Sequence, residues 1–245
     1  MFDYYILFFF LIIACAVFSM RASSKVNSAF SAYGNMPNSS RMTGYDTAVR
    51  LLRANGVKDI SVKRVRGKLT DHYHPTKKLV NLSESTYGDP SIASVAVAAH
   101  EIGHVMQKKK GYLPYKIRNI LVPITNFGSR LAIPLVLLGL LLDIFVGYAQ
   151  NSNVGFYVAL VGVAFYGLST VFALVTLPVE LDASRRAKKM LLEEGILQEE
   201  EIPYADKMLD AAAQTYVAAL ATSLVYFLRF LMWVMVMFGG RSRRR

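Results

Sequence analysis

Residues 91–107 read SIASVAVAAHEIGHVMQ, and the organisation of the whole chain can be worked outward from them. His100, Glu101 and His104 form the pattern H-E-x-x-H, preceded by an apolar run. On a helix, residues four apart share a face, so both imidazoles can reach one zinc ion at about 2.0–2.1 Å. Glu101 stands next to the first of them, where a carboxylate can take a proton from zinc-bound water, whose pKa the metal lowers to about 7. Three fixed positions also arise by chance, so the context has to carry part of the argument. Asp89-Pro90 offers an N-cap and a proline at the first helical position, and Ile92, Val95, Ala96, Ala99 and Gly103 follow helical spacing. A helix from about residue 90 to 109 is therefore predicted, holding two of the chain's 4 histidines.

The 245 residues are 53% hydrophobic and 18% charged, with a mean hydropathy of +0.32. The apolar excess is concentrated in four blocks, Tyr4 to Met20, Leu131 to Tyr148, Val154 to Leu177 and Tyr216 to Phe238, each close to the roughly 20 residues that cross a bilayer. A mainly α membrane protein follows, with about four transmembrane or membrane-associated helices. The single Cys15 excludes an intramolecular disulfide. Asp3, in place of a basic start, and the lack of a small-x-small cleavage site make the first block a retained anchor rather than a cleaved signal.

The net charge of +11 is explained by its placement. Arg21 and Lys25 follow the first block, Lys116, Arg118 and Arg130 precede the second, and Arg185, Arg186, Lys188 and Lys189 follow the third, while 149–153 carry no charge. The positive-inside rule then puts 21–130 and 179–215 in the cytoplasm and the amino terminus outside. The basic excess reads as a topology signal and not as a nucleic-acid surface. The tail Arg241 to Arg245 runs against the rule, so the last helix either crosses despite it or re-enters. Two charges at membrane depth, Asp143 and Arg229, are expected either to face each other within the bundle or to stand apart, Asp143 near the outer interface and Arg229 snorkelling from a tilted or re-entrant helix, since ionised groups in a bilayer usually pair or face water.

Between the blocks, 22–42 read as a linker, and Thr43 as the N-cap of a short helix ended by Asn55-Gly56. Short strands are expected around Ile60 to Val65, Leu69 to Tyr73 and Leu79 to Leu82, giving a small β-sheet at the cytoplasmic face before the H-E-x-x-H helix. An edge strand there could pair with extended substrate. Residues 112–130 read as a connection, Gly195 as a C-cap, and Pro203 as the start of the last helix. The divisions are an N-terminal transmembrane anchor over 1–21, a zincin-like catalytic region over 22–130, a transmembrane hairpin over 131–178, a cytoplasmic segment carrying the third ligand over 179–215, and a C-terminal membrane helix with its basic tail over 216–245.

A catalytic zinc needs three protein ligands and an open position. The candidates for the third are Glu180, Asp182, His72 and His74. His72 and His74 share a face of a strand. Glu180 is expected to open a short helix where the third block returns to the cytoplasmic side, at the membrane face of His100 and His104.

Asp71-His72-Tyr73-His74-Pro75, Ser91 to Gln107 and Pro178 to Ala187 (PVELDASRRA) together resemble the YugP-like membrane zinc metallopeptidases, over nearly the whole chain. More distantly, the layout is similar to the HtpX and CAAX prenyl proteases. The resemblance implies one catalytic Zn2+ held by His100, His104 and Glu180, a gluzincin-like set, with Glu101 as general base and His72, Tyr73 and His74 as possible contacts to substrate or transition state. It implies hydrolysis of protein or peptide substrates, possibly membrane proteins, by an enzyme of the bacterial cytoplasmic membrane whose catalytic region faces the cytoplasm. The HtpX-type proteins carry an aspartate four residues after the glutamate ligand, where this chain has Ser184; Asp182, only two residues on, points to another side of a helix. The reading from a different class is a metal-stabilised membrane scaffold or adaptor with little or no proteolysis, which would have no need of Glu101.

Overall fold

The computed structural model describes residues 2–147 and 153–239. The uncharged turn at 149–152 and the tail Arg241 to Arg245 lie outside the described residues. The elements in chain order are α1 (Phe2–Gly34), α2 (Gly44–Ala54), β1 (Ser61–Val65), β2 (His72–His74), β3 (Leu79–Ser83), α3 (Glu84–Tyr87), α4 (Ile92–Lys109), α5 (Leu113–Leu142) running into a π-helical turn (Asp143–Gly147), α6 (Val154–Glu193) and α7 (Ile202–Gly239). Four of these helices, Tyr4–Gly34, Leu113–Phe145, Val154–Glu193 and Ile202–Phe238, are long and apolar enough to cross a membrane.

The chain divides into two compact units. One comprises the described residues within Met1–Ser19, Ile117–Thr176 and Val217–Arg245; the other is Met20–Lys116 with Leu177–Tyr216. The first unit is packed through small residues. A Cβ on Gly139 would lie 2.5 Å from the Gly155 carbonyl oxygen, and one on Gly162 would lie 2.6 Å from that of Ala132. Backbones this close gain dispersion contacts and weak hydrogen bonds that lipid tails cannot replace.

The second unit holds the sheet and α4. Thr43 caps α2 as read, in a capping box where its hydroxyl accepts from the Asp46 N–H at 3.1 Å and the Asp46 carboxylate accepts from the Thr43 N–H at 3.2 Å. The apolar stripe Ala48, Leu51 and Leu52 is buried. The strands come in the order β1-β3-β2, with β1 parallel and β2 antiparallel to the central β3. Val80 and Leu82 of β3 are fully buried in the same cluster as Leu51, Val95, Ile102 and Leu191. Strand β2 is an edge of the sheet and packs beside α4.

Five local expectations are corrected. Residues 22–34 are not linker: α1 continues to Gly34, where Phe30 is buried against Ala93 and Met208. Helix α4 starts later, with Ser91 as N-cap accepting from the Ser94 N–H at 3.2 Å, while Asp89 instead accepts from both serine hydroxyls. The second strand is only His72–His74, because Leu69 adopts a positive φ of 56° that ends any extension through it. Residues 113–130 belong to α5, which runs through Pro123 and Pro134. Glu180 opens no helix: α6 runs unbroken through Pro178, so the glutamate sits in its interior. In long apolar helices the backbone groups freed by proline can be satisfied by neighbouring helices, which is why the residue fails as a stop signal here.

Helix α4 meets α6 in a close approach of two backbones. Ala96, Ala98 and Ala99 are fully buried, and a Cβ on Gly103 would lie 2.6 Å from the Ala183 carbonyl oxygen. Backbone on both sides cannot give way as a flexible side chain could. We expect Gly103→Ala to cost about 1–3 kcal/mol, as overpacking does, read as a lowered thermal midpoint in detergent. Zinc content should fall with it, because the two helices carry the candidate ligands. An unchanged midpoint would mean the helices separate freely.

Candidate metal centre

Helix α6 presents Glu180, Ala183, Ser184, Ala187 and Leu191 to the core of its unit; of these Ala183, Ala187 and Leu191 are fully buried. The three- and four-residue spacing puts them on one face. The tight Gly103–Ala183 passage brings this face against His100 and His104. Among the described residues one cluster of histidine, cysteine and carboxylate side chains could hold a metal, and it is His100, His104 and Glu180, whose nearest ligand atoms all lie within 4.8 Å of one another.

The geometry tests whether zinc fits. Glu180 Oε2 is 3.2 Å from His100 Nε2 and 3.4 Å from His104 Nε2. Two donors about 2.1 Å from a shared ion at a tetrahedral angle lie about 3.4 Å apart. The hydrogen-bond network also fixes which ring nitrogens are free. Gln107 donates through Nε2 to the Val179 carbonyl at 2.7 Å and to Asp182 Oδ2 at 2.9 Å, which leaves its Oε1 as acceptor for His104 Nδ1 at 2.9 Å. His104 thus carries its proton on Nδ1 and turns the Nε2 lone pair toward the carboxylate. His100 is held likewise by Ser184 Oγ, 3.1 Å from its Nδ1. A carboxylate that is only 2% exposed would then face imidazole lone pairs, acceptor against acceptor. A cation between them removes the conflict, and two imidazoles with one carboxylate are a zinc donor set.

Asp182 is tied into this network. It accepts from Gln107 and, at 2.6 Å, from Arg186 Nε. The residue that points to another side of α6 from Glu180 therefore still orients a candidate ligand, acting through Gln107. Sequence reading missed Gln107 and Ser184. Their signals were position: Gln107 is one turn after His104, and Ser184 is one turn after Glu180, where the HtpX-type proteins carry aspartate. Losing one partner of a metal-binding histidine typically costs about 10–100-fold in metal affinity. We expect Gln107→Ala and Ser184→Ala each to weaken zinc binding by about that factor in competition with a chromophoric chelator, with the secondary structure by circular dichroism unchanged.

Glu101 is adjacent but is not one of the three. It is 7% exposed; burial, with Glu180 and Asp71 nearby, pushes its carboxyl up to about 7 against the opposing pull of His100. The backbone N–H of Tyr73 donates to it, so edge strand β2 supports Glu101. Glu101 and His100 line one cavity of about 330 Å³ with Asp71, Leu69, Val97 and Met208.

His72 and His74 do not join the cluster. The His72 ring contacts the Thr70 carbonyl at 2.8 Å and Asn81 Nδ2 at 2.9 Å, and His74 Nδ1 accepts from the Lys77 N–H at 3.3 Å. Both histidines are thereby occupied within the sheet region. The Tyr73 ring packs against the core, and burial pushes its hydroxyl up to about 12. In the other unit no ion pair joins Asp143 to Arg229 among the described residues. Asp143 backs onto Gly155, whereas Arg229 shares a cavity with Ile133, roughly 15 Å back along α5 at 1.5 Å per residue.

A centre of two histidines and a glutamate, beside four helices of membrane-spanning length, defines a class that the comparisons identify. The chain belongs to the family described as "Putative neutral zinc metallopeptidase", whose model matches residues 8–235. It is 41% identical over 236 residues to a protein of Bacillus subtilis (strain 168) named "Putative membrane protease YugP", covering 96% of this chain and 99% of that one. The resemblance drawn from the three sequence stretches is thus borne out, and with its four apolar helices the chain is a membrane protein. No solved structure matches it.

Proposed function

We propose that the protein is an integral-membrane zinc metallopeptidase that hydrolyses peptide bonds of protein substrates at the cytoplasmic membrane face. The observation that carries this reading is Glu101, which is buried beside His100 and lines the same cavity without belonging to the three-residue cluster. A scaffold stabilised by metal would need the ligands but not this further buried carboxyl group, whose charged form burial disfavours.

His100, His104 and Glu180 would hold one zinc ion. When bound, zinc supplies a Lewis acid that polarises the scissile carbonyl and lowers the pKa of water. Glu101 accepts the proton of the attacking water on its carboxylate and delivers it to the amine nitrogen as the C–N bond breaks. The Tyr73 N–H holds the carboxylate in place, Gln107 holds His104 in the tautomer that leaves Nε2 free, and Ser184 Oγ positions the His100 ring. Leu69, Val97 and Met208 give the cavity an apolar wall for a substrate side chain, and Asp71 a polar end.

The test is incubation of purified protein with unfolded and membrane proteins, with and without a chelator. Cleavage that stops on chelation and returns with added zinc supports the peptidase. A zinc-replete protein that cleaves none of them supports the scaffold.

The cytoplasmic placement rests on the distribution of Lys and Arg. In a Cys15→Ser background, we expect Lys68→Cys to react with a membrane-impermeant thiol reagent only after cells are opened. Reaction in intact cells would invert the topology. Lys68 suits the purpose because it lies exposed at the surface, over the Phe30 ring.

A further inference from the structure

The first unit contains a second site, unrelated to the zinc centre. Arg229 lies in α7 within the apolar block Tyr216 to Phe238, is exposed, and has no carboxylate paired with it among the described residues. It lines a cavity of about 340 Å³ with Tyr4, Tyr5, Tyr166, Tyr226 and Trp233. The Tyr4 hydroxyl is buried and has no hydrogen-bond partner among the described residues. A cation and a phenol are thus left without acceptors in one apolar cavity, and each is costly in hydrocarbon.

The walls are rigid and apolar. Phe230 meets Tyr166 edge-on at 5.4 Å and stacks on Trp233 at 6.0 Å, and Ile133 closes the side. Tyr4 and Tyr5 stand at the end of the apolar block Tyr4 to Met20, where tyrosine and tryptophan mark the headgroup boundary of a bilayer. The missing acceptor is therefore an anion that arrives with hydrocarbon attached. Guanidinium prefers phosphate oxygens, which it binds in a fork. Among the described residues the cavity lining contains no acid to receive the ammonium of a zwitterionic headgroup.

We propose that this cavity binds one anionic phospholipid, with Arg229 and the Tyr4 hydroxyl on the phosphate and the acyl chain along Ile133, Phe230 and Trp233. The site does not depend on the peptidase reading.

Delipidated protein in mild detergent, titrated with phosphatidylglycerol or phosphatidylcholine of matched acyl chains and observed by native mass spectrometry, tests it. We expect one tightly retained phosphatidylglycerol per chain and at least about tenfold weaker retention of phosphatidylcholine, the scale of one charge-assisted hydrogen bond. Arg229→Gln should bring phosphatidylglycerol down to the phosphatidylcholine level, and Arg229→Lys should recover part of the difference. Tyr4→Phe keeps the ring, removes one donor and should weaken retention by about three- to tenfold, so it carries the test if the arginine variants do not fold. Equal retention of the two lipids by the wild type, or unchanged phosphatidylglycerol retention in both Arg229→Gln and Tyr4→Phe, overturns the proposal.

Discussion

Glu101→Gln retains zinc at wild-type stoichiometry and cleaves peptide bonds about 10²–10⁴-fold more slowly, the range a positioned general base contributes. Glutamine has the shape of glutamate, and its carbonyl oxygen can still accept the Tyr73 N–H that the carboxylate accepts now. The side chain stays buried, and the packing of α4 against α6 is untouched. What is lost is the capacity to take a proton. In the wild type, burial lifts the carboxyl to about 7, close to where a base both holds the right charge state and has driving force to accept. Initial rates on a protein substrate, with metal analysis of the same preparation, separate the outcomes. Activity within tenfold of wild type would remove Glu101 from the base role, and loss of zinc would make it part of the metal site.

Glu180→Ala has the largest expected effect on metal content. It removes one of three donors, so zinc affinity should fall by more than the roughly 10–100-fold that follows loss of an outer hydrogen-bond partner. Activity should fall with it. The effect on stability depends on the metal. Without zinc, the variant loses a 2%-exposed carboxylate whose Oε2 lies 3.2 and 3.4 Å from the two imidazole Nε2 atoms, contacts that overcome its burial and hold its carboxyl well below the usual carboxylate range, so its thermal midpoint in chelator should match or fall below that of the wild type. With zinc, the wild type gains stability from binding and the variant does not. Thermal unfolding with and without chelator reads both arms at once. His100→Ala and His104→Ala should lose zinc as well, and their midpoints in chelator should fall, since each leaves Glu180 buried with one fewer partner. Full zinc retention in Glu180→Ala would take Glu180 out of the site and return attention to His72 and His74.

What could be read from the chain alone was what neighbouring residues decide. The four apolar blocks, the N-cap at Thr43, the break at Asn55-Gly56 and the helical run through His100 and His104 all depend on contacts within a turn or two. Such features follow from spacing, propensity and capping, which a sequence states directly. The third member of the cluster was different. Glu180, Asp182, His72 and His74 were all chemically competent, and Glu180 is 80 residues from His100. Its arrival depends on α6 continuing through Pro178 and on Gly103 having no side chain, so that two backbones meet where Ala183 presents its carbonyl. Tertiary packing likewise recruited Gln107 to set the His104 tautomer, Ser184 to hold the His100 ring, and Asp182 to orient Gln107. It also kept Asp143 from Arg229, whose equal depth counted along separate helices had suggested a pair. Depth along a helix is one coordinate of three, and the other two are set by which faces pack, through small residues such as Gly139, Gly155 and Gly162, at distances that local pattern does not encode.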